Sequence, residues 1–180
     1  FYDVGIEEEH AVTFSAGLAA GGMKPFCNIY SSFSQRAYDQ IIHDVALQDL
    51  PVVLCLDRGG LVGEDGATHH GCYDMSIYRS IPGSVIAVPR NEIELKDMMY
   101  SAMKSETGPY IIRYPRGYGE GVDWQGHEFC DMESGKAEVL SEGSGVAVIC
   151  AGPVANRAVE AAQKIKDETG WTPSIYNIRY

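Results

Sequence analysis

Apolar and polar positions alternate in blocks along the chain. Short apolar runs of strand length are followed by longer stretches with helical spacing. FYDVGI (1–6) predicts a short strand, and EEEHAVTFSAGLAAG (7–21) a helix whose acidic first turn suits the positive end of the helix dipole. Gly21-Gly22 predicts its end. KPFCNIYS (24–31) reads as a strand. FSQRAYDQIIHDVALQ (33–48) reads as a helix with an Ala37/Ile41/Val45 apolar face. PVVLCLD (51–57) is a near-continuous apolar run, as in a central parallel strand. SVIAVP (84–89) is a strand, NEIELKDMMYSAMKS (91–105) a helix capped by Asn91, and GPYIIRYPRG (108–117) another strand.

Strands alternating with helices predict an α/β fold, a mostly parallel sheet with helices on both faces. Ligands of such sheets gather at the carboxyl ends of the strands. The loops 30–36, 57–72 and 113–117 all leave strand ends and are expected to share one edge. Residues 118–135 are polar, Gly-rich and acidic, and read as a linker or a ragged excursion. Beyond them the order strand, strand, helix, strand opens a second α/β unit. The domains expected are therefore 1–132 and 133–180. The strand-like runs at both ends suggest an internal piece of a longer protein.

Charge narrows the partners. The formal net charge is −11 and the pI about 4.8, so neither nucleic acid nor an anionic membrane is expected as a partner. Nothing resembles a signal peptide or a membrane-spanning run. The five cysteines are widely spaced and form no CxxC pair, which argues against structural zinc. Cys27, Cys55 and Cys150 sit in apolar runs and read as core residues, which fits a reducing, cytoplasmic compartment.

Three groups could carry chemistry. His69 and His70 lie in LVGEDGATHHG (61–71). Adjacent histidines in an extended segment diverge, and no H-x-x-x-H partner exists, so a metal is not expected there. A structural role and a polar site with Asp65 and Thr68 both stay open. Glu7-Glu8-Glu9 is either a solvated helix cap or a functional carboxylate with a buried, nitrogen-bearing partner. Arg36, Arg58 and Arg116 sit at element ends, where the guanidinium fork suits a phosphate or carboxylate ligand. The phosphate-loop, dinucleotide and nucleophile-elbow motifs are absent from this sequence, and AGPVANRA is a weak lookalike of the first.

Three stretches together carry a resemblance: DVGIEEEHAVTFSAGLA, IYSSFSQRAYDQIIHDVALQDLPVVLCLDRGGLVGEDGATHHG and RYPRG. They resemble the central, pyrimidine-binding domain of the 1-deoxy-D-xylulose-5-phosphate synthase family. That family belongs to the transketolase-like, thiamine-diphosphate-dependent enzymes. The likeness runs from residue 1 to about 117, and the tail resembles the start of the family's carboxyl-terminal domain.

The resemblance implies roles residue by residue. Glu8 matches the catalytic glutamate that hydrogen-bonds the cofactor's aminopyrimidine ring, and Phe33 the aromatic residue packed on that ring. Tyr30, Arg36, Arg58, Asp65, His69 and Arg116 match the substrate-facing set. Of these, Arg58, Arg116 and Tyr30 match the group that holds the phosphate, and His69 is placed for proton transfer. His70 is expected to be structural. The implied reaction joins pyruvate to glyceraldehyde 3-phosphate with loss of carbon dioxide, in a cytoplasmic homodimer using thiamine diphosphate and Mg2+. Where the family usually shows I-A-E-Q-H, this chain has Ile6-Glu7-Glu8-Glu9-His10. Glu7 and Glu9 are expected to point elsewhere on the helix. The family's diphosphate- and magnesium-binding motif lies in an amino-terminal domain outside this chain, so these residues alone are expected to be inactive. Transketolase, a 2-oxo-acid dehydrogenase beta-type subunit and a non-catalytic interaction module are the rival readings.

Overall fold

The computed structural model describes residues 1–180. The chain forms two compact units, one of residues 1–87 with 99–118 and the other of 88–98 with 119–180.

The first unit opens with α1 (Glu8–Ala20), β1 (Phe26–Tyr30) and an irregular helical stretch. That stretch is a 3-10 turn (Phe33–Ala37), a short α2 (Tyr38–Gln40), a π turn (Ile41–Val45) and a second 3-10 turn (Ala46–Gln48). Then come β2 (Val53–Asp57), α3 (Asp74–Tyr78) and β3 (Val85–Ala87). Helix α4 (Glu92–Lys104) is divided between the two units, and β4 (Tyr110–Arg113) completes the first sheet. The strand order is β1-β2-β4-β3, and every pairing is parallel.

The expected parallel sheet is present, and β2 is its most enclosed strand. Val53, Leu54, Cys55 and Leu56 are all buried, so both faces of this strand are covered. That is why its sequence is continuously apolar rather than alternating. The core on one side gathers Val12, Ala16 and Ala19 of α1 with Cys27, Ile29, Leu54, Leu56 and Ile111 of the strands. Ala37, Ile41 and Val45 are fully buried in the same cluster, as their spacing predicts. Ile41 and Val45 each contribute about 1.5–3 kcal/mol by leaving water, and the small Ala37 less. The pair Gly21-Gly22 ends α1, with Gly22 at φ +88° and the Met23 amide donating back to the Leu18 carbonyl.

Two expectations need correction. Residues 1–6 form no strand: they are irregular up to α1. A strand exists only where a neighbour completes its ladder, and no strand of this sheet pairs with them. Residues 33–48 are not one α-helix. The buried Ser34 hydroxyl donates to the Ser31 carbonyl and accepts from Tyr78 Oη. These contacts tighten the first turn, and tertiary packing overrides the regular helix while keeping its apolar face. Helix α3 was not expected, because CYDMSIY has too short a pattern to show a helical period.

The second unit holds β5 (Glu138–Ser141), β6 (Ala147–Cys150), α5 (Val154–Thr169) and β7 (Ser174–Asn177). Its strand order is β5-β7-β6, with β6 parallel and β5 antiparallel to β7. Asn91 caps α4 as expected, its Oδ1 accepting from the Glu94 amide at 2.9 Å. The stretch 118–135 contains no helix or strand, yet it is tied down. Lys96 Nζ donates to the carbonyls of Trp124 and His127, and Asp97 accepts from the Cys130 amide. No helix is long and apolar enough to cross a membrane.

Candidate active site

Parallel register brings three strand ends level. Tyr30 lies opposite Asp57, and Leu56 opposite Arg113, so β1, β2 and β4 release their loops on one edge. This places Tyr30 and Phe33, then Arg58 through His70, and finally Arg116 around one cluster. Among the residues singled out in the sequence, a chain of contacts joins Glu8, Tyr30, Phe33, Arg36, Arg58, Asp65, Thr68, His69 and Arg116, while Glu7, Glu9 and His70 stand outside it.

Glu8 sits at the start of α1 with its side chain 10 % exposed, whereas Glu7 and Glu9 are exposed. The reason is helical phase. The buried residues of α1 are Glu8, Val12, Ser15, Ala16 and Ala19, a single stripe facing the core. That spacing is a signal the sequence already carries. Glu8 Oε1 accepts from Arg36 Nη1 at 3.2 Å. The Arg36 guanidinium lies 4.8 Å from the centre of the Phe33 ring.

Phe33 continues the contacts. Its ring stacks on Tyr30 with centres 5.6 Å apart and planes 17° from parallel. Its other contact is edge-on with His69, at 5.0 Å and 64°. Arg58 stacks its guanidinium 3.8 Å from the Tyr30 ring centre. The side chains run Arg36, Phe33, Tyr30, Arg58, with a cation at each end of two stacked rings.

Asp65 then joins two arginines, its Oδ2 accepting from Arg58 Nε at 3.2 Å and from Arg116 Nε at 2.9 Å. Arg58 also pairs with Asp57. Partial burial works against the Arg58 charge, but Asp57, Tyr30 and Asp65 outweigh it and hold the guanidinium above its usual range. Its backbone stands at φ +60°, rare for a residue with a side chain, and this turns the chain sharply at the end of β2. His69 Nδ1 meets Thr68 Oγ1 at 2.9 Å. His70 Nδ1 accepts from the Val62 amide at 3.1 Å, a contact that fastens the loop to itself.

Beneath this cluster lies a set that the sequence did not announce: buried Ser31, Ser34, Asp74 and Tyr78, with the partly buried Arg113. Asp74 Oδ2 accepts from Arg113 Nε at 2.6 Å and from Ser31 Oγ at 2.7 Å. The partners are far apart in the chain, so no local motif marks them. The usable signal is an arginine ending the apolar run YIIR.

The cluster fits a nitrogen heterocycle. A cavity of about 290 Å3 is lined by Ile6, Glu8, Ala11, Tyr30 and Phe33, among others. It combines a nearly buried carboxylate acceptor with an aromatic face and aliphatic walls, a lining that could hold a flat heterocycle bearing N–H donors. No group of three or more His, Cys, Asp or Glu side chains is arranged to hold a metal ion.

A parallel α/β sheet with this cluster at its carboxyl edge defines the class: the fold is that of the transketolase-like proteins. The chain belongs to the transketolase pyrimidine-binding domain family, whose sequence profile matches residues 1–120. It is 54 % identical to the 1-deoxy-D-xylulose-5-phosphate synthase of Bacteroides thetaiotaomicron, over 99 % of this chain and 28 % of that protein. It is 52 % identical to the synthase of Nitratidesulfovibrio vulgaris, over 100 % of this chain and 28 % of that one. The chain therefore spans 28 % of the length of these curated relatives. Among solved structures, a split-gene transketolase described as an inactive beta4 tetramer matches with TM-score 0.84 and 25 % identity, over 99 % of this chain and 57 % of its own. A Pichia stipitis transketolase in complex with sedoheptulose-7-phosphate matches with TM-score 0.81 and 19 % identity, over 97 % and 26 %, which shows the shared fold.

Proposed function

We propose that the intact protein joins pyruvate to D-glyceraldehyde 3-phosphate, releasing carbon dioxide and forming 1-deoxy-D-xylulose 5-phosphate. The observation that carries this reading is one contact chain. It runs from a buried carboxylate beside a ring-sized cavity, Glu8, to an arginine pair on a shared carboxylate, Arg58 and Arg116 on Asp65. One end suits a cofactor ring and the other a phosphate. The likeness to named synthases supports the same pairing of substrates.

Thiamine diphosphate, when bound, supplies a nucleophilic thiazolium carbon and an electron sink for decarboxylation. Glu8 shares a proton with the ring nitrogen of the aminopyrimidine, and Arg36 keeps its carboxylate aimed. Phe33 and Ile6 shield that ring from water. Arg58 and Arg116 hold the phosphate of the aldehyde substrate, because two guanidinium groups on one carboxylate converge on a single anion site. Asp65 orients both, and Tyr30 fixes the plane of Arg58 by stacking. His69, leaning on Phe33, moves a proton at the aldehyde oxygen as the new carbon–carbon bond forms.

We place a domain boundary at 132/133, between the end of the family match at 120 and the start of β5 at Glu138. The family likeness supports a cytoplasmic homodimer.

The test uses the intact protein with thiamine diphosphate, Mg2+ and pyruvate, following carbon dioxide release with and without glyceraldehyde 3-phosphate. Release that needs the aldehyde and collapses in Glu8→Ala is the expected result. Release indifferent to the aldehyde points to a 2-oxo-acid dehydrogenase-type relative, and no release from a folded protein to a non-catalytic module.

A further inference from the structure

Segment 60–71 carries Asp65 and His69, and it is closed at its neck. Gly60 and Gly71 exchange two backbone hydrogen bonds, of 2.8 and 2.9 Å. Loops whose ends meet in this way are compact units, and the placement of everything on them depends on the neck.

The neck is seated on an ion pair with a buried carboxylate. Arg113, the last residue of β4, donates through Nε to Asp74 Oδ2 at 2.6 Å and through Nη2 to the Gly71 carbonyl at 3.3 Å. The same Asp74 oxygen accepts from Ser31 Oγ at 2.7 Å, next to Tyr30 at the end of β1. The Ser31 amide in turn donates to the Asp57 carbonyl at 2.7 Å. The arginine shaft fills the space over Gly59, where a Cβ would stand 2.8 Å from Arg113 Cγ. The Asp74 side chain is 1 % exposed and that of Arg113 13 %. One carboxylate oxygen thus ties the ends of β1 and β4 to the neck of the loop after β2.

Stability alone is a weak reason to bury such a pair, because removing two charges from water offsets most of their attraction. A geometric reason is at hand. Arg58 and Asp65 belong to the strand end and loop that the pair fixes, and Arg116 lies three residues beyond Arg113. We propose that Asp74 and Arg113 are positioning residues: they hold the neck of segment 60–71 so that Arg58, Asp65 and Arg116 converge on one phosphate. This rests on the phosphate-binding role proposed above. The pair touches neither substrate nor cofactor. It acts on affinity for the phosphate-bearing aldehyde, not on binding of the cofactor ring at Glu8.

The experiment compares wild type, Asp74→Asn and Ser31→Ala in the intact protein. The first readout is hydrogen exchange at the amides of Gly60 and Gly71, expected to speed up roughly tenfold or more in Asp74→Asn. The second is KM for glyceraldehyde 3-phosphate against KM for phosphate-free D-glyceraldehyde. The first KM is expected to rise at least about tenfold, while the second, and the Kd of thiamine diphosphate, stay put. Unchanged exchange at the neck overturns the proposal. So does an equal loss for both aldehydes, or a lowered melting temperature with no change in KM. Should Asp74→Asn not fold, Ser31→Ala decides, with the same selectivity expected at smaller size. Should the wild type turn over neither aldehyde, the functional reading falls by itself. Calorimetry with glyceraldehyde 3-phosphate on wild type and Asp74→Asn then decides the positioning role, and equal affinity overturns it.

Discussion

Glu8 and Arg36 meet at 3.2 Å, one at the first turn of α1 and the other after β1, and they differ sharply in exposure. The carboxylate is nearly buried, and the guanidinium is half in water. An ion pair with one wet partner adds little to stability. Its consequence is directional, since Arg36 fixes where the Glu8 carboxylate points.

Replacing Glu8 by Gln keeps the size and removes the carboxylate for which we propose proton sharing. We expect carbon dioxide release by the intact protein to fall by about 100-fold or more, the usual scale of a positioned acid–base group. Circular dichroism and melting should change little. Retention of most activity in Glu8→Gln would sink the assigned role.

Arg58 combines a left-handed backbone, a ring contact and two carboxylates, and a lysine keeps the charge but not the planar, multi-donor geometry. An ammonium group offers no planar face to Tyr30 and no fork for a phosphate. Both Arg58→Lys and Arg58→Ala are expected to raise KM for the phosphorylated aldehyde about 10- to 100-fold. Two lost charge-assisted hydrogen bonds of about 1.5–3 kcal/mol each are enough for that. Steady-state kinetics on the intact protein decides, and an unchanged KM in Arg58→Lys would show that charge alone suffices.

Some of this arrangement is legible in the amino-acid pattern itself. The block alternation of residues 26–113 signals the parallel sheet because each buried strand leaves a continuous apolar run and each helix a 3.6-residue stripe. The burial of Ala37, Ile41 and Val45 follows from spacing alone. The irregular winding of 33–48 does not, since it depends on Ser34 and Tyr78, which are 44 positions apart. Asp74 and Arg113 escape notice for the same reason, being 39 positions apart. A polar pair shows no period, and a linear pattern relates neighbours, not partners across a sheet. Glu8 lies between these cases. Its phase with Val12, Ser15 and Ala19 is present in the sequence, but three adjacent glutamates mask which one turns inward.

Burial leaves a mark on alkaline stability. It pushes the Cys55 thiol from 9.0 up to about 12, with Cys27 beside it adding to the rise. Burial likewise raises Cys27. It lifts the hydroxyls of Tyr78 and Tyr114 from 10.0 to about 12. The folded protein holds these protons longer than the unfolded chain does, so the unfolded state binds fewer protons once pH passes 9 to 10. Stability is therefore full below pH 9 and falls as pH rises from there toward 12. Denaturant midpoints measured across that window should decline steadily. Below it, alkylation of the native protein should mark the exposed Cys72 and Cys130 and spare Cys27 and Cys55. Rapid labelling of Cys55 at neutral pH would contradict the buried assignment.

Gly71 is the tightest point at the neck of the histidine loop, and close approach, not backbone freedom, explains it. A Cβ there would stand 2.6 Å from the Arg58 carbonyl oxygen and would also collide with the Ser31 side chain. Backbone cannot yield as the far end of a flexible side chain can. The substitution Gly71→Ala therefore has to lift the neck away from the end of β2, at a cost of about 1–3 kcal/mol for overpacking. Because Arg58 and Ser31 are the groups displaced, the loss should not stop at stability. We expect a lower denaturant midpoint together with a raised KM for glyceraldehyde 3-phosphate. Gly66, by contrast, stands at φ +82° with open space around it. Gly66→Ala should therefore strain the backbone without pushing on Arg58. If Gly71→Ala and Gly66→Ala lower stability equally and leave KM equally unmoved, the close approach at Gly71 has no bearing on the phosphate end of the site.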